Sequence, residues 1–125
     1  MRLHRCALVL LACIGMLAAS TAARAADLKV IDTWPAANAV IDSRSDGFIV
    51  RFNQPIDHVF SSIFVKRGDQ TVETLKARLD SAPEVLFARA PSLPAGSYTL
   101  HWVVKTIQDQ RIEQGDVPFT IGPPK

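Results

Sequence analysis

Past residue 25 the chain contains no cysteine and no methionine, because Cys6, Cys13, Met1 and Met16 all precede that point. A disulfide, a reactive thiolate and a soft thioether ligand are therefore excluded from residues 26–125. Imidazole is scarce too: only His58 and His101 remain. There is no glycine-rich phosphate cradle, no HExxH and no paired-histidine motif. Ser61 and Ser62 lie near His58 without an orienting acid at a telling spacing, and Glu73, Glu84 and Glu113 fall on separate predicted elements. Nucleophilic catalysis needs a base held by a third group, so the chain is not expected to be an enzyme.

The first 25 residues have the three parts of an export signal. Arg2, His4 and Arg5 give a positive start, residues 6–19 an apolar run interrupted only by Gly15, and Ala23-Arg24-Ala25 a small-x-small cleavage motif before Ala26. The apolar run is about 14 residues, short of the roughly 20 that a spanning helix needs. No membrane span is expected after cleavage, and without a cysteine at the cleavage point no lipid anchor. Three of the 14 basic residues, Arg2, Arg5 and Arg24, leave with the signal, so 11 face 12 acidic ones and the formal +2 becomes −1. That balance gives a nucleic-acid partner no support. One hundred residues, 26–125, make one small domain with one core, expected as a monomer.

What is present is a succession of short alternating segments separated by turns. Residues 28–34 end at Pro35, and Ala36-Ala37-Asn38 is a bend. Residues 47–52 place Phe48, Val50 and Phe52 on one face and stop before Pro55, which cannot donate to a ladder. Segments 62–66, 71–76 and 84–88 follow, the last with Val85 and Phe87 on one face. The longest segment opens with Leu93-Pro94-Ala95-Gly96 and alternates Tyr98, Leu100, Trp102 and Val104 against Thr99, His101, Val103 and Lys105. A polar loop, 105–116, leads to a last strand, 117–121, whose Pro118 predicts an edge position or a bulge. About seven strands with no 3.6-residue period predict an all-β, immunoglobulin-like Greek-key β-sandwich. Trp102, Tyr98, Phe52 and Phe119 are its expected core aromatics.

Three separated pieces carry a family resemblance: Thr33-Trp34-Pro35-Ala36-Ala37-Asn38-Ala39-Val40, Val50-Arg51-Phe52-Asn53-Gln54-Pro55-Ile56, and residues 93–102 with 115–121. In order and spacing they resemble the CopC family of periplasmic copper-resistance proteins across nearly the whole of 26–125. The resemblance implies a β-sandwich that carries copper in the periplasm, often beside an inner-membrane copper-transport protein. It also implies a Cu(II) site made by an amino-terminal histidine and the Asp and His of an Asp-Gly-His loop, with a Met-rich Cu(I) site in some members.

This sequence departs from that pattern at the metal. Cleavage before Ala26 gives Ala26-Asp27-Leu28, with no histidine first or third. Counting back from Gly115, Asp109-Gln110-Arg111 takes the place of Asp-Gly-His, so the aspartate stays and a guanidinium replaces the imidazole. Arginine is a permanent cation with no lone pair for a metal. Candidate metal residues are thus Asp109, His58 (beside Asp57 in a loop after Pro55) and, more weakly, His101 on an outward strand face. Asp109 and Arg111, two apart, would share a face of an extended loop and could pair; the plainer alternative is two solvated charges. Two functions follow: copper handling with a degenerate site, or a metal-free interaction module presenting residues 105–114 or an edge strand to a protein partner.

Overall fold

The computed structural model describes residues 27–43 and 46–123. The expected export signal, residues 1–25, lies outside them. Eight strands form: β1 (Val30–Trp34), β2 (Ala39–Ile41), β3 (Gly47–Phe52), β4 (Ser62–Arg67), β5 (Gln70–Lys76), β6 (Val85–Arg89), β7 (Gly96–Lys105) and β8 (Ile112–Ile121). One sheet has the order β1-β3-β6 and the other β2-β8-β7-β4-β5. Every pairing is antiparallel except β2 with β8, which runs parallel. The described residues contain no helix, and the sandwich is the predicted one.

Alternation decides what each strand buries. On β3, Phe48, Val50 and Phe52 point inward; on β7, Tyr98, Leu100, Trp102 and Val104 do the same. Between the sheets Phe52 meets Trp102 edge-on at 5.0 Å and Phe119 lies 5.5 Å from Phe48, and within the larger sheet Phe119 lies 5.8 Å from its cross-strand neighbour Tyr98. Burying each such side chain is worth about 1.5–3 kcal/mol, so these rings dominate the core. The Tyr98 hydroxyl donates to the Pro94 carbonyl at 2.6 Å, which ties the turn before β7 to the strand.

The structure adds to the expected strands and corrects one of them. Strand β2 is an eighth strand, in residues after the bend at 36–38 to which the sequence assigned no element. Strand β8 begins at Ile112, not 117, so the polar loop shrinks to 106–111. Its first half exposes Ile112, Gln114 and Asp116, and among the described residues β7 is its only partner there. On β6 the buried face is Leu86 and Ala88, while Val85 and Phe87 stay half-exposed. Pro118 sits where β8 stops being an edge. Its carbonyl accepts from the Asn38 N–H at 2.7 Å, and the β2 ladder starts one residue later at Phe119.

Candidate functional site

The loop between β7 and β8 is held from both sides. Ile56 bridges Thr106, the Asp57 N–H donates to the Lys105 carbonyl at 2.8 Å, and the Thr106 N–H donates to the Arg111 carbonyl at 2.9 Å. Thr106 is buried at 2% exposure, and its hydroxyl donates to Asp109 Oδ1 while accepting the Arg111 N–H at 3.1 Å. Gln110 closes the turn with φ 57°, in the left-handed region.

Asp109 and Arg111 do meet. The guanidinium lies 3.7 Å from Asp109 Oδ2, and Glu113 (3.9 Å) and Asp27 (4.0 Å) stand on it as well. Asp27 is brought there by Asn53, whose side chain accepts the Lys29 N–H at 2.9 Å and donates to the Asp27 carbonyl at 3.1 Å. Sequence reasoning raised the Asp109–Arg111 pair as an alternative to two solvated charges, the plainer reading, and missed the other two carboxylates. Glu113 continues the two-residue spacing and was open to the same argument; Asp27 arrives from 84 positions away and left no local signal.

The other candidates go elsewhere. His58 Nε2 lies 2.8 Å from the Val85 carbonyl, while Asp57 Oδ1 accepts the Val59 N–H at 3.0 Å. No hydrogen bond or ion pair joins Asp57 to His58. Ser61, 2% exposed, donates to the Asp57 carbonyl at 2.5 Å and serves the loop rather than a nucleophile's role. His101 sits on the outer face of β7, where its Nδ1 lies 2.6 Å from Asp116 Oδ1 on β8 and its ring 6.1 Å from Phe64. Among the described residues no group of three or more His, Cys, Asp or Glu side chains is placed to hold a metal ion. The Asp80 carboxyl is held below its ordinary value first by the hydrogen bonds from Arg78 and then by that cation's charge.

These features define an immunoglobulin-like sandwich whose chemically distinctive end is the charged loop between its two longest strands. The chain belongs to the CopC domain family, whose model matches residues 30–122. Among solved structures it is similar to CopC from Methylosinus trichosporium OB3b, at 26% identity and TM-score 0.68 over 79% of this chain and 97% of that one. An engineered protein shares the fold at 20% identity and TM-score 0.51, covering 77% of this chain and 20% of that one. No match is found among curated proteins. The family is one of copper-binding and copper-trafficking proteins, and a copper-related role follows from membership.

Proposed function

We propose that the chain is exported to the periplasm, loses residues 1–25, and serves there in copper handling beside an inner-membrane copper-transport protein, with its loop metal site degenerate. The CopC match over residues 30–122 carries the copper-handling part of the reading. The degenerate site is argued from the donors themselves. Cu(II) seeks imidazole and amine nitrogen in tetragonal geometry. At the loop it would meet the Asp109 carboxylate, already engaged by Thr106, and a guanidinium with no lone pair. Of the two imidazoles, His58 Nε2 faces a backbone carbonyl and His101 Nδ1 a carboxylate. This donor set does not suit a tight Cu(II) site.

The reading is tested by fractionation and deletion. A periplasmic product beginning at Ala26 and a copper-sensitive deletion strain are expected; cytoplasmic retention, or copper tolerance unchanged by the deletion, would contradict it. A second reading, a metal-free interaction module, is favoured by exposed apolar side chains on and near the loop end: Val59 (72% exposed), Phe60 (64%), Ile107 (51%) and Ile112 (72%). It predicts a copper-independent complex that charge substitutions at Val59 and Phe60 disrupt.

A further inference from the structure

Three carboxylates from three separate parts of the chain surround one cation at the loop end of the sandwich. Asp27 comes from the segment before β1, Asp109 from the β7–β8 loop and Glu113 from β8, and each lies within 4.0 Å of the Arg111 guanidinium. We infer that Arg111 is a built-in cation that fastens the segment before β1 to the β7–β8 loop, so that this end of the domain is closed by the chain's own charge and not by a bound ion. The inference rests on the degenerate-site reading above and gives that site a structural occupant.

An isolated exposed ion pair is worth little, and Arg111 is 54% exposed. The arrangement differs from an isolated pair in what its loss would leave behind. With the guanidinium gone, three like charges would face one another across its place, and of the three Asp27 is the one that precedes the first strand. Repulsion would then act on the segment that Asn53 holds by three hydrogen bonds, its side chain to the Lys29 N–H and the Asp27 carbonyl and its own N–H to the Lys29 carbonyl. The planar guanidinium with five donors can serve several carboxylates at once, which an ammonium does less well.

The test compares wild type, Arg111→Gln and Arg111→Lys, each purified from the periplasm as the processed protein, by amide exchange at Lys29 with melting followed in parallel. Exchange at Lys29 should quicken by roughly two- to fivefold in Arg111→Gln and by less than that in Arg111→Lys, which keeps the charge but not the fork of donors. High salt should speed wild-type exchange toward the Arg111→Gln rate, because screening weakens the fastening. Equal exchange in wild type and Arg111→Gln would overturn the inference whatever a copper titration shows. Slower exchange in wild type supports it even if copper were found to bind elsewhere, at His58 or His101, a result that would count against the degenerate-site reading alone.

Discussion

Thr106 is where the loop end of the domain depends most on a single hydroxyl. It is buried, donates to Asp109 and accepts the Arg111 N–H, so replacing it removes a donor and an acceptor together. Thr106→Val keeps the shape and strands both partners; a loss of about 1–3 kcal/mol is expected by chemical denaturation. At the opposite extreme of exposure stands Asp80, whose carboxyl Arg78 holds low. A depressed folded value means a contribution present above the ordinary carboxylate range and lost as pH falls through the folded value. Arg78→Gln should move the Asp80 titration upward in a carboxyl NMR experiment; an unmoved titration would show that Arg78 is not the cause. Residue identities made the Asp109–Arg111 pair legible, since a two-residue spacing is local. The His101–Asp116 pair was not, because it needs the β7–β8 register, and β8 was expected to begin after Asp116.

At the scale of elements, the β7–β8 hairpin is built around one cross-strand pair. Gly115 lies opposite Trp102, and a Cβ there would stand 2.4 Å from the indole ring. The ring is buried at 8% exposure and cannot swing away freely. Gly115→Ala should therefore cost about 1–3 kcal/mol through overpacking, and a melting point equal to wild type would show that the indole has room to shift. Gln110 offers the reverse case. Its φ of 57° is one that glycine adopts without a Cβ penalty, so Gln110→Gly should hold or raise the melting point despite losing the Gln110 bond to the Ile107 carbonyl. Strands β3, β4 and β7 were legible because apolar and polar residues alternate. Strand β6 was legible as an element but not in its facing: Val85, Leu86, Phe87 and Ala88 are all apolar, so alternation could not say which pair turns inward. Strand β2 was invisible because three residues carry no period and its partner, β8, is far along the chain.

At the scale of the whole molecule, the family and the fold were both legible, the first from three spaced motifs and the second from alternation. The charged cluster was legible only in part, since its members lie at 27, 109, 111 and 113 and only folding joins the first to the rest. In this CopC domain the loop end carries a guanidinium that stands among three carboxylates. The most direct test is a calorimetric titration of residues 26–125, the proposed processed form, with no tag, by Cu(II) against a competing chelator. Only weak binding of the kind that surface carboxylates give is predicted. Tight one-to-one binding, abolished by replacing His58 or His101, would contradict the account and place copper at a rebuilt site.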